Sequence, residues 1–206
     1  MLRYAHFFQI IMAYSVFLLL IGCKQDESVK EPKKVRLNKL AMLVNGQDWQ
    51  PSQIGTDDCL CKFKGAWSFN GQNKNPYFTL SAFQDPQAET FFKNETGLNM
   101  QITNLQKPGI YYLAGSYLDH FESFAIFSLK TPEGKFKQYI NKAHAKNFYV
   151  QVNELIPLPG TTIPGIAATF SGTLYNKDNP LDSLTFNRGS FTFKKVNWHN
   201  YNQCQQ

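Results

Sequence analysis

From residue 40 onward the chain predicts an all-β fold, an antiparallel sandwich or squat barrel of about ten strands. Three observations carry this. Apolar and polar residues alternate with a period of two in segment after segment. The segments are short and recur at spacings of roughly 8 to 14 residues. Between them stand Asn-Gly, Pro-Gly and similar pairs that close turns. The only stretch that reads as a brief helix is Asn141 to Lys146.

Leu40 to Val44 is an apolar run, and Asn45-Gly46 is a strong signal for a two-residue type I′ hairpin, whose central residues both need positive φ. Asp48-Trp49-Gln50 begins the return strand before Pro51. Cys59, Cys61, Phe63, Trp67 and Phe69 then fall on odd positions, with Lys62, Lys64 and Ser68 on even ones, so this segment buries its odd face. Gly65 interrupts the odd row and marks a bulge or the close approach of another strand.

Asn70-Gly71 leads into Tyr77 to Phe83, with Phe78, Leu80 and Ala82 on one face. Leu98, Met100 and Ile102 form the next alternation, and Lys107-Pro108-Gly109 turns into Ile110 to Leu113. Phe121 to Leu129 pairs with Lys135 to Ile140 across Thr131-Pro132-Glu133-Gly134. Phe148, Val150 and Val152 make a further strand. Pro157, Pro159 and Pro164 then exclude the segment from Ile156 to Gly165 from any sheet interior. Ile166, Ala168, Phe170 and Leu174 alternate next. After a loop from Asn176 to Asp182, Leu184 and Phe186 face inward, and Arg188-Gly189 shifts the register so that Phe191 and Phe193 do too.

The first 22 residues differ in kind. Arg3 supplies a positive charge, and Phe7 to Ile21 is apolar apart from Gln9, Tyr14 and Ser15. That run of about 15 residues is short of the roughly 20 a helix needs to cross a bilayer, which reads as an export signal. Leu20-Ile21-Gly22-Cys23 resembles the lipobox of bacterial lipoproteins. The resemblance implies a diacylglyceryl group on the Cys23 thiol, cleavage before Cys23 and acylation of the new amine, hence a palmitate-bearing membrane anchor. An uncleaved membrane helix is the alternative, and nothing after Cys23 extends the apolar run to support it.

Residues 23–39 are polar and charged, without the apolar surface to offset the entropy of ordering, and read as a tether. Sixteen residues span about 53 to 58 Å fully extended and roughly 20 to 24 Å as a coil. Lys24-Gln25-Asp26-Glu27 is similar to short acidic signals that route some Gram-negative lipoproteins to the outer leaflet of the outer membrane. It is also what an ordinary solvated spacer looks like. The expected organisation is thus a signal over 1–22, a lipidated tether over 23–39 and one domain over 40–206, on the outer membrane, with surface display favoured over the periplasmic face.

The net charge of +6 invites a nucleic-acid reading, and its distribution excludes it. Residues 40–206 hold fourteen basic and twelve acidic groups with no run of Lys or Arg, whereas displacing counterions needs a concentrated basic stripe. Val44-Asn45-Gly46 with Trp49, Pro108-Gly109-Ile110-Tyr111, Ser171-Gly172-Thr173 and Gly189-Ser190-Phe191-Thr192-Phe193 stand out along the globular part. Through them it resembles a family of uncharacterised lipoproteins from Gram-negative bacteria. These are turn-and-strand motifs, so the resemblance implies a fold and brings no catalytic residues.

Candidates for chemistry are few. Cys59 and Cys61 at i and i+2 of a strand lie about 6.5 to 7 Å apart at Cα, long for a bond between them. In an oxidising compartment a disulfide from Cys204 to Cys59 or Cys61 is the plain expectation; buried free thiols, or a soft-metal site with His199, are alternatives without a matching motif. Asp119-His120-Phe121-Glu122 with Ser116 and Ser123 has the ingredients of acid–base chemistry, but neighbours on a strand face opposite ways and no nucleophile elbow is present. Asp57-Asp58 lacks a calcium-loop pattern.

The aromatic load of 18 Phe, 10 Tyr and 3 Trp is more informative. Trp49, Tyr77, Trp198 and Tyr201 are the candidates for stacking on sugar rings; the plainer expectation is that Trp49 and Trp67 plug the sandwich and Trp198 covers its end. The expected role is a non-enzymatic binding or interaction module for a glycan or an envelope protein, with no cofactor, metal or catalytic residue assigned. A small polysaccharide hydrolase and a lipid carrier are the alternatives. Facing carboxylates in a cleft favour the hydrolase, an open apolar cavity the carrier and a shallow aromatic platform the binder.

Overall fold

The computed structural model describes residues 37–52, 55–56, 59–60, 63–71, 74–84, 95–119 and 121–198. These carry fourteen strands and no helix. Ten have four or more residues, as the alternation predicts: β1 (Asn38–Val44), β5 (Phe63–Phe69), β6 (Pro76–Phe83), β7 (Gly97–Thr103), β8 (Gly109–Tyr112), β9 (Phe124–Lys130), β10 (Phe136–Ile140), β11 (Phe148–Ile156), β12 (Gly165–Asn176) and β13 (Ser183–Phe193). The short ones are β2 (Gln47–Trp49), β3 (Gly55–Thr56), β4 (Cys59–Leu60) and β14 (Asn197–Trp198).

Twelve strands form one sheet that curls onto itself. One leaf runs β2-β1-β13-β12-β11-β8 and the other β10-β9-β7-β6-β5-β14. They join at one corner, where Tyr139 and Ile140 of β10 pair with Asn176 and Tyr175 at the end of β12. β12 can serve both because its first part pairs with β11 and only its last residues reach β10. All pairings are antiparallel except that of β14 with β5.

Phenylalanine rings meet between the leaves. Phe63 lies 4.7 Å from Phe193 by ring centroids, Phe78 lies 5.6 Å from Phe193, and Phe127 lies 5.3 Å from Phe186. Gly65 faces this seam: a Cβ there would sit 2.8 Å from ring carbons of both Phe193 and Phe78, so the interrupted odd row marks a close approach. The register shift at the other side of the seam is also present. β1 and β13 slip between Ala41 and Leu43, Arg188 takes a φ of 50°, and inward residues pass from Leu184 and Phe186 to Phe191 and Phe193. Asn45 and Gly46 have φ of 49° and 81°, as a type I′ turn requires.

Three expectations need correction. Cys59 does not lie on the strand of Phe63; β4 pairs with β3 as a separate two-stranded sheet, Cys59 opposite Thr56. Phe69 is 51% exposed, because it pairs with Pro76 at the tip of the β5–β6 hairpin, beyond the other leaf's reach. Residues 141–146 form a turn: His144 takes a φ of 60°, and its N–H leaves the local chain to donate to the Ala114 carbonyl.

Candidate functional site

Three connections gather at one end of the sandwich: residues 113–123 between β8 and β9, 141–147 between β10 and β11, and 177–182 between β12 and β13. The chain enters β1 at the opposite end, where Asn38 pairs with Phe193, the last residue of β13. Loops held by a rigid sandwich are where such folds place function.

Asn141 is the central tie. It is buried, its Oδ1 accepts from the Ala125 N–H and its Nδ2 donates to the Gly115 carbonyl, both at 2.8 Å. One side chain thereby joins the start of β9, the end of β10 and the 113–123 loop. That loop also folds back on itself, with Glu122 accepting from the Ser116 N–H and Asp119 from the Phe121 N–H. It covers Gln101, on the polar parity of β7, which is buried and donates to the Glu122 carbonyl. The carboxylates that suggested acid–base chemistry are thus spent on holding a loop. Ser123 is spent similarly, bonding Thr103 through its hydroxyl. His120 lies outside the described residues.

The 177–182 loop is held by Asp182. Its Oδ2 accepts from Asn176 Nδ2 at 2.9 Å, Lys137 Nζ at 2.9 Å and the Tyr139 hydroxyl at 3.1 Å. These donors, the Asn176 amide first and the Lys137 ammonium next, hold its carboxyl below the usual carboxylate range. Burial, and then the hydrogen bond to Asp182 and its charge, push the Tyr139 phenol up. A carboxylate depressed in the folded state contributes stability that is whole above its unfolded value, about 3.9, and is lost as pH falls through the folded value. Partial exposure keeps the effect small. The melting-temperature gap between wild type and Asp182→Asn should be constant above about pH 5 and narrow below about pH 4. A gap that does not change with pH would contradict this.

Two surfaces at this end can meet a ligand. The first is an aromatic platform on the outer face of β8 and β11. Tyr112 and Tyr149 are directly opposed across the strand pair, 43% and 36% exposed, with centroids 6.4 Å apart and ring planes at 61°. Ile110, 55% exposed, extends the platform along β8, opposite Gln151. Lys146 Nζ stands 5.1 Å above the Tyr112 ring. β8 is an edge strand, paired with β11 alone among the described residues.

The second is a cavity of about 350 Å³ between the three loops, walled by Tyr117, Tyr175, Lys142, Lys177, Ser116 and Pro180 among others. Lys177 Nζ lies 5.6 Å from the Tyr117 ring centre, and its contact with the Tyr117 hydroxyl raises its pKa. A shallow recess bordered by Leu118, Phe121 and His144 adjoins it through the shared residues Ser116 and Ala143.

The sequence's candidates for stacking lie apart from the platform. Trp49 is 7% exposed and edge-on to Phe127 at 5.8 Å, and it borders a recess of about 400 Å³ together with Asn45, Asp48 and Thr96; Trp67 is buried, its Nε1 donating to the Pro164 carbonyl. Tyr77 is half-buried on β6, opposite Ser68 and Thr103, on the leaf that does not carry the platform. Trp198 lies on β14, its backbone paired with that of Trp67. Tyr201, Cys23, Cys61, Cys204 and Asp57-Asp58 lie outside the described residues. Tyr112 and Tyr149 went unnoticed although the signal was present: Phe148, Val150 and Val152 face inward, so Tyr149 must face out. Among the described residues no group of three or more His, Cys, Asp or Glu is placed to hold a metal ion.

An antiparallel sheet curled into a sandwich, with a loop-borne cavity and an aromatic platform at one end, defines the class: an all-β scaffold that presents its loops. The chain belongs to the family Domain of unknown function (DUF5025), whose model matches residues 37–194. No curated protein and no solved structure matches the chain.

Proposed function

We propose that the protein is a lipid-anchored envelope protein that binds a glycan, the Tyr112–Tyr149 platform being the contact surface. One observation carries the reading: two opposed, solvent-facing tyrosines with an exposed isoleucine beside them form the shallow aromatic surface that suits a binder. A sugar ring has an apolar face that covers tyrosine and hydroxyls that bond at the rim; Gln151 and Lys146 stand there to receive them. The alternatives fit less well. Asp119 and Glu122 are committed to backbone N–H groups, and the Phe rings an apolar carrier would line its interior with are packed against each other.

The anchor rests on Leu20-Ile21-Gly22-Cys23, and surface display on Lys24-Gln25-Asp26-Glu27. The start of β1 at the end opposite the three loops suits a protein held from its N-terminal side.

Protein recovered from the membrane fraction of its host should begin at an acylated Cys23, and in affinity electrophoresis it should be retarded by at least one polysaccharide of a panel of envelope and extracellular polymers. With each stacking contact worth about 0.5 to 1.5 kcal/mol, the double variant Tyr112→Ala/Tyr149→Ala should weaken that retardation about tenfold. An unmodified N-terminus would remove the anchor. Retardation unchanged in the double variant would remove the platform.

A further inference from the structure

The loop-walled cavity is separate from the platform and its chemistry points to a different kind of contact. Two lysines, Lys142 and Lys177, line it and no Asp or Glu does. Of the nearby carboxylates, Asp182 is occupied by three donors and Glu122 by the Ser116 N–H, while Asp178, beside Lys177 in the chain and outside the lining, attracts the Lys177 ammonium. The two lining amides are spent as well. Asn141 bonds Ala125 and Gly115, while Asn176 donates to Asp182 and accepts from the Asp178 N–H. What faces a ligand is two ammonium groups, of which that of Lys177 also contacts the Tyr117 hydroxyl, the rings of Tyr117 and Tyr175, the Tyr175 hydroxyl, and the Ser116 hydroxyl, which accepts from the Leu118 N–H and can still donate.

A volume of about 350 Å³ lies at the small end of the range for ligand pockets. It suits one six-membered ring and its substituents. An apolar ring face would lie against tyrosine, and a negative group would meet the lysines, which no acidic side chain of the lining neutralises. Lys177 is already poised over the Tyr117 ring, so cation and aromatic wall are presented together.

We infer that this cavity binds a compact ring bearing a carboxylate, the chemistry of a uronic-acid unit. The inference goes beyond the glycan reading and does not depend on the platform. A free acidic monosaccharide and the end unit of an acidic polymer share this chemistry.

The test uses the full-length chain, isotope-labelled, titrated with glucuronate, glucose and acetate, and with a glucuronate-ended oligosaccharide to separate the two sources. Glucuronate should shift the amides of Ser116, Tyr117, Asn176 and Lys177, with glucose and acetate at least about tenfold weaker. If the oligosaccharide binds more tightly than glucuronate, the polymer end is the source; if it does not, the free sugar is. Lys142 and Lys177 are both exposed, so Lys142→Gln/Lys177→Gln should keep the fold and lose the preference for glucuronate over glucose. Tyr112→Ala/Tyr149→Ala should leave glucuronate binding intact. Equal binding of glucose or acetate, a preference that survives loss of both lysines, or loss of glucuronate binding in the platform variant would each overturn the inference.

Discussion

Phe78→Ala should cost about 3 to 5 kcal/mol, a large share of the 5 to 15 kcal/mol that holds a typical domain together. Phe78 is wholly buried in the middle of β6 and touches both leaves of the sandwich. Its ring is edge-on to Trp67 at 5.4 Å within its own leaf, and meets Phe191 at 6.1 Å and Phe193 at 5.6 Å across the seam. Removing it opens a void where β5, β6 and β13 meet, and Gly65 beside it has no side chain to fill the space. The urea midpoint should fall without a change in slope, since the unfolded surface is little altered. Phe78→Leu, which leaves a smaller void, should cost distinctly less. A loss under 1 kcal/mol for the alanine variant would mean that the two leaves do not share this core.

Asn141→Ala should be nearly as damaging for a different reason. The Ala125 N–H and the Gly115 carbonyl would both lose their side-chain partner, at about 1 to 3 kcal/mol for each buried group left unmade. The damage should be local first: amides over 113–123 and 141–147 should exchange faster before the sheet does. Asn141→Asp separates the two bonds, because a carboxylate still accepts from Ala125 but no longer donates to Gly115. Its cost should fall between wild type and alanine. If all three proteins were equally stable, the three-loop end would not be organised by this residue.

Much of the architecture was legible because a half-buried strand writes its orientation into alternate residues. Asn45-Gly46 announced a turn that only positive φ can make, and Arg188-Gly189 announced a shift of parity that appears as a bulge against β1. What stayed hidden depended on contacts distant in sequence. The odd row from Cys59 to Phe69 looks like one strand, and nothing local reveals that β4 pairs with β3 or that the hairpin tip outruns its partner leaf. Gln101 reads as solvent-facing until the 113–123 loop is laid over it. The candidate site was missed for a related reason. Trp49 and Trp67 fill core volume, which is the plainer expectation for them, while Tyr112 and Tyr149, on the outward parity of adjoining strands, become a platform only once β8 pairs with β11. The cavity's charge is invisible to the sequence for the same reason, since Lys142 and Lys177 meet only where two loops converge.

The direct measurement is amide hydrogen exchange of the full-length chain with and without the polysaccharide that retards it. Binding at the platform predicts slowed exchange in 109–112 and 146–151, with the β1–β2 hairpin unchanged. Protection centred on that hairpin or on residues 193–198, with none along β8 and β11, would contradict it.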